Sequence, residues 1–132
     1  MKRNSADTWF SRYIRLRHVN EDGNVSCVTC GNISQPKNMD CGHYVKRHHQ
    51  STRYNEENCH VQCRKCNWLQ QGNDVKFREY LVERYGEDRV LLLEASKRVS
   101  VKRSKRELSM IAIYYKAKTN ELLTQKGIEK WW

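Results

Sequence analysis

Four of the six cysteines form two pairs, Cys27-Val-Thr-Cys30 and Cys63-Arg-Lys-Cys66. Two residues between the sulfurs let both thiolates of a pair reach one tetrahedral ion, so the pairs predict a structural Cys₄ zinc site. Four thiolates close the coordination sphere and leave no open position for a substrate, so such an ion staples the chain. The gap between the pairs is longer than a minimal zinc ribbon needs, and it holds other groups with chemistry: Asp40-Cys-Gly-His43-Tyr44 and Glu57-Asn58-Cys-His60. Asn67 follows the last paired cysteine directly. Histidine, with an ordinary pKa near 6.5, is a neutral base at working pH. Carboxylate and amide oxygens suit a hard cation such as Mg²⁺. Cys41 and Cys59 read as small buried hydrophobes. Cys59 or His60 is the alternative if one paired cysteine is not a ligand.

The elements that must place these groups can be read from pattern. Residues 5–19 are expected to be helical, with Trp9, Phe10, Tyr13, Ile14 and Leu16 at helical spacing, Ser5 as N-cap and Asp7 in the first turn. Asp22-Gly23 signals a turn, and Pro36 marks a loop. Strands are expected over 38–45 and 58–62, joined by a polar, basic connection, with a helix from about Cys66 to Gln71. Gly72-Asn73 breaks the chain, a helix follows to a Gly86 cap, and residues 88–96 continue as a short apolar helix. A last helix spans about Ser104 to Gln125. The fold class is α+β: a zinc-stapled strand–strand–helix core over 25–86, the helix at 5–19 before it, and a basic helical region over 87–132, all within a single domain of residues 1–132. Regular strand alternation puts Asp40 and His43, three residues apart, on opposite faces unless a bulge at Gly42 turns one of them.

Composition narrows the partner. The 132 residues carry a formal net charge of +10 and only 38% are hydrophobic. That excess favours a polyanion, nucleic acid first. With a thin apolar core, a structural metal matters to stability. No run reaches the ~18 apolar residues of a membrane span, and the N-terminus lacks the apolar stretch of a signal peptide, so a cytoplasmic protein is expected. Segment 97–106 holds six basic residues and no acidic one. Lys102, Arg103, Lys105 and Arg106, with Lys46, Arg47 and Arg53 from the connection, are the expected phosphate contacts. His48 and His49 are read as solvated loop residues.

The order Asp40-x-Gly42-His43-Tyr44, then Glu57-Asn58-x-His60-x-Gln62-Cys63-x-x-Cys66-Asn67, then Gly72-Asn73, resembles the phage NinG (Rap) recombination endonucleases. More broadly it is similar to the HNH, or ββα-metal, nucleases. The likeness runs over about residues 27–86. It implies that His43 is the general base, that Asn58 orients the histidine and ties down its loop, and that Asn67 binds a catalytic Mg²⁺ or Mn²⁺. Asp40 is the candidate second ligand and His60 a further one. The position before the catalytic histidine, where many relatives carry a metal ligand, is Gly42 here. The resemblance implies a DNA endonuclease acting on branched recombination intermediates, a Holliday junction or D-loop. It would work in the host cytoplasm, with a homodimer and phage recombination proteins as candidate partners. The competing readings are an HNH nickase on ordinary duplex and a non-catalytic zinc-ribbon DNA-binding protein.

Overall fold

A five-residue antiparallel hairpin carries most of the chemistry-bearing positions. Its strands are β3 (Met39–His43) and β4 (Cys59–Cys63), in continuous register from Met39 opposite Cys63 to His43 opposite Cys59. The computed structural model describes residues 2–132. Among these the architecture is mixed α/β: two two-stranded sheets and four α-helices. The second sheet pairs β1 (Val25–Ser26) with β2 (Ile33–Ser34) around the first cysteine pair. The helices are α1 (Ser5–Leu16), α2 (Asp74–Tyr85), α3 (Glu87–Ala95) and α4 (Lys105–Lys126). A π-helical turn, Lys65–Leu69, follows β4. No helix is long and apolar enough to cross a membrane.

Strand alternation sends the two faces of the hairpin to different helices. Cys59 packs with Phe10 and Ile14 of α1 and Tyr115 of α4, with Cys41 alongside. The Phe10 ring meets Tyr115 edge-on at 4.8 Å and Tyr54 at 5.7 Å, a favoured aromatic geometry. On the other face His60 lies against Phe77 and Tyr80 of α2, and a second cluster joins Val45, Phe77, Leu81, Val90 and Leu93. A third cluster, containing Val25, Met39 and Val61, lies beneath the paired cysteines. The terminal tryptophans return to α1. Trp132 meets Trp9 edge-on at 5.7 Å, and the Arg12 guanidinium sits 4.6 Å from one ring and 4.2 Å from the other.

Local chemistry moved several expected boundaries. The first helix ends at Leu16, and its N-cap is Asn4, not Ser5. Asn4 Oδ1 accepts from the Asp7 amide at 2.8 Å while Asp7 Oδ2 accepts from the Asn4 amide at 2.9 Å. Asp7 therefore caps the helix, and it also anchors the connection. Arg53 is 1% exposed and donates from Nε and Nη2 to the two Asp7 oxygens at 2.8 and 2.5 Å. Arg47 joins the same carboxylate at 3.3 Å. Burial by itself raises the Asp7 carboxyl, but the hydrogen bonds from Arg53 and Asn4 outweigh it and hold it below the usual carboxylate range. Arg53 is thus a correction to the expected DNA contacts: its guanidinium is a buried strut between α1 and the connection.

Gly42 has a steric reason. The ladder is regular there, with no bulge, and a Cβ on Gly42 would fall 2.0 Å from Gln62 Oε1. The Gln62 side chain crosses that space so that Nε2 can donate to the Gly72 carbonyl at 2.8 Å and to Thr29 Oγ1 at 3.1 Å. One buried amide therefore ties the hairpin to the first cysteine loop and to the turn after the π-helical segment. That turn is strained: Gln71 and Asn73 take positive φ values of 50° and 51° on either side of Gly72. Lys46 holds it from outside, donating to the Gln71 carbonyl at 3.0 Å and pairing with Asp74 at 2.8 Å.

Removing the Asp7 carboxylate leaves a buried guanidinium uncompensated, a change that typically costs about 3–5 kcal/mol. Asp7→Ala is expected to lower the urea-unfolding free energy by that amount, against no more than about 1 kcal/mol for Asp74→Ala at the exposed Lys46 pair. Equal, small losses in the two variants would contradict the strut.

Candidate metal centre and basic cleft

The first cysteine pair sits where β1 turns toward β2, and the second bridges the end of β4 and the π-helical turn. The four sulfurs of Cys27, Cys30, Cys63 and Cys66 lie within 4.8 Å of one another, with Cys30 and Cys63 at 3.7 Å. Sulfurs on a tetrahedral zinc, with bonds near 2.3 Å, stand about 3.8 Å apart, so this donor set fits that ion. Gly31, at φ 78°, lets the first knuckle close, its amide donating to the Cys27 carbonyl at 2.9 Å. The Cys66 amide points at Cys63 Sγ (3.4 Å) and the Asn73 amide group at Cys66 Sγ (3.8 Å). Burial opposes ionisation of Cys27, yet the Thr29 hydroxyl and nearby amides bring its thiol down to about 6. His60 is not near this cluster, so its alternative role as a zinc ligand is overturned. Cys59 is likewise absent from it.

The two knuckles bring the β3 edge, α1 and the π-helical turn around one cleft of about 350 Å³. Asp40, Cys41 and His43 line it from β3, Asp7, Ser11 and Arg15 from α1, and Arg64, Asn67 and Trp68 from the second knuckle and turn, with Arg3 and Arg47 at its sides. Asp40 and His43 share this space without a bulge because β3 is an edge strand: side chains from both of its faces border the same opening. Asn67 Nδ2 donates to Asp40 Oδ2 at 3.1 Å, and Arg64 approaches Asp40 Oδ1 at 3.7 Å. The Asp40 carboxylate thus faces the amide NH₂ of Asn67 on one oxygen and the Arg64 guanidinium on the other.

His43 is held by its surroundings. Nε2 lies 3.0 Å from the Arg53 carbonyl, so Nε2 carries the proton and Nδ1 the lone pair. Burial pushes its pKa down to about 4, against the opposing pull of the Arg53 and Cys41 carbonyls. Asn58, fully buried, accepts from the Val45 amide at 2.8 Å and donates to the Val45 and Thr52 carbonyls at 2.9 and 3.3 Å. It closes the base of the 46–57 loop that presents the Arg53 carbonyl, and it does not line the cleft. His60 is a further correction. It is buried on the opposite face, with Nδ1 at 3.0 Å from Arg17 and Nε2 at 3.1 Å from the Glu57 carbonyl, and cannot reach an ion at Asp40.

Of the expected phosphate contacts, Arg47 lines the cleft, and Lys46 is tied to the 71–74 turn. Arg103 donates to the Gln50 carbonyl and lies 5.2 Å from the Tyr54 ring, pinning the segment before α4 to the connection. Lys102, Lys105 and Arg106 stay on the surface away from the cleft lining. Sequence reading missed Arg3, Arg64 and Trp68. Arg64 and Trp68 had a signal, since they flank the second knuckle and Asn67. The Arg3 position had none.

Fold and site together define a small basic protein with a four-cysteine cluster whose geometry fits a metal ion, beside a cationic cleft. The family model described as Bacteriophage Lambda NinG protein matches residues 3–125, and the chain belongs to that family. It is 34% identical over 76 residues to protein ninG of Escherichia phage lambda, an alignment covering 57% of this chain and 37% of that protein. It is 36% identical over 66 residues to protein ninG of Salmonella phage P22, covering 49% and 32% respectively. The chain thus aligns with about a third of the length of these curated relatives. No solved structure matches it.

Two outcomes are expected here. Zinc analysis of purified protein should give one ion per chain, lost in Cys63→Ser. Chelation should collapse the melting transition, because structural zinc contributes roughly 10–16 kcal/mol in small domains; an unchanged melt after verified metal removal would contradict the staple. Proton NMR of the histidine rings should give His43 a midpoint near 4. A pKa below the unfolded value of ~6.5 means the fold favours the neutral ring. Its contribution is therefore complete above pH ~6.5 and is lost as the pH falls toward 4.

Proposed function

We propose that this protein is a divalent-metal-dependent DNA endonuclease of the HNH, or ββα-metal, type that acts on branched recombination intermediates. The observation that carries the reading is the convergence of His43, Asp40 and Asn67 on one cationic cleft, with the His43 tautomer set by the Arg53 carbonyl. A strand bearing the base, a second strand after a closed loop, and a helical turn bearing the amide ligand is the strand–strand–helix order of that class. The zinc cysteines bracket it.

In this reading Nδ1 of His43 accepts a proton from the attacking water while the Nε2–H stays on the Arg53 carbonyl. Arg15, Arg47 and Arg64 border the cleft and hold the phosphate against the β3 edge. Asn58 keeps the loop closed, so the carbonyl that fixes the imidazole does not drift. Asp40 and Asn67 would hold the Mg²⁺ or Mn²⁺, which supplies stabilisation of charge on the leaving 3′ oxygen. The low His43 pKa favours a neutral base, at the cost of basicity.

The test is incubation of labelled four-way junction, D-loop and linear duplex with and without Mg²⁺ or Mn²⁺. Cleavage should need the ion and prefer the branched substrates. His43→Ala should lower the rate at least about 100-fold while leaving DNA affinity and melting temperature in place. Duplex nicking at the same rate would favour the nickase. No cleavage with either ion would leave a zinc protein that binds DNA.

A further inference from the structure

We propose that Trp68 is an aromatic platform that stacks on an unpaired nucleobase next to the scissile phosphate. The inference rests on the nuclease reading above and supplies the feature that would tell a branch from plain duplex. Trp68 lines the rim of the cleft, yet it is 74% exposed, and the adjoining Leu69 is 82% exposed. The other tryptophans all have partners: Trp9 and Trp132 stack on each other and on Arg12, and Trp131 lies against Trp132 and Arg15. Among the described residues, no ring or cation contact involves Trp68. The other three indoles are thus engaged with one another and with arginines, while Trp68 stands bare at the rim of the cleft that holds the Asp40–Asn67 pair.

The occupant follows from the surroundings. Arg64 lies in the preceding turn and Arg15 and Arg47 border the same cleft, so a polyanion is attracted to the place where the indole stands. A base offers a flat π-face and its backbone the phosphate, the combination that aromatic-plus-cation surfaces take from single strands. Trp68 and Asn67 line the same cleft, so a base on the indole belongs to a nucleotide near the phosphate that Asn67 serves. The π-helical turn cannot swing freely, because the turn after it is pinned by Gln62 and Lys46. In a continuous duplex every base is already stacked on its neighbours, so the indole gains nothing there.

The experiment compares 2-aminopurine placed in an unpaired position at a junction with the same base inside full duplex, without added Mg²⁺ or Mn²⁺. Wild-type protein should quench the unpaired probe only. Trp68→Ala should abolish that quenching and weaken binding to the branched DNA by about 10- to 100-fold. Its duplex affinity should change less than about twofold, with an unchanged melting temperature. Trp68→Phe should retain most of the quenching. Equal losses on both DNAs, or no loss on the branched one, would overturn the platform. Wild-type protein that binds neither DNA would overturn the nuclease reading along with it. Cleavage abolished by His43→Ala while Trp68→Ala binds branched DNA normally would sink the platform alone.

Discussion

Four sulfur atoms from two distant segments must meet at one point, and the rest of the structure is arranged around that demand. The first pair has little structure of its own beyond two short strands, and the second ends a five-residue strand. Bringing the four sulfurs to within 4.8 Å of one another fixes where the π-helical turn begins, and therefore where Asn67 stands relative to Asp40. A hairpin of this length is marginal alone. The four-cysteine cluster at one end and α1 and α2 on the two faces together make it rigid enough to carry a site.

Buried polar side chains do the remaining positioning. Asp7 with Arg53, Gln62 with Thr29, and Arg17 with the Cys59 carbonyl join segments far apart in sequence, while Asn58 with Val45 and Thr52 and Gln62 with Gly72 close nearer loops. Such contacts are worth little net energy when complete and much when broken, which favours one arrangement over its neighbours. The consequence at the cleft is a histidine whose ring orientation is set by a backbone carbonyl. That carbonyl belongs to the residue whose own side chain is locked to α1. Helix, loop and imidazole therefore move as one body.

The same chain separates its cations by role. Arg17 and Arg53 are consumed in structure, whereas Arg15, Arg47 and Arg64 border the cleft. Arg15 is buried enough that its pKa falls to about 10, still charged at neutral pH. A net charge of +10 thus overstates the accessible positive charge, and the local field is set by which arginines are buried in structure and which stay at the cleft.

Much was legible from spacing. The two C-x₂-C pairs, the strand bearing His43, the helices after Gly72 and the start of the last helix near Ser104 depend on short-range geometry, and local pattern records that directly. Other features depend on contacts across tens of residues. Asp7 reads as an N-terminal helix charge and becomes the anchor of Arg53, 46 residues on. His60 reads as a ligand beside Asn58 and is turned to the α2 face. Gly42 reads as a missing ligand and proves to be the clearance for Gln62. Sequence by itself determined the donor atoms and their local turns, because those follow from residue type and separation. Which side of the edge strand met the solvent, which arginines were buried, and which indole was left bare were decided only by tertiary packing, since each depends on what another segment placed opposite.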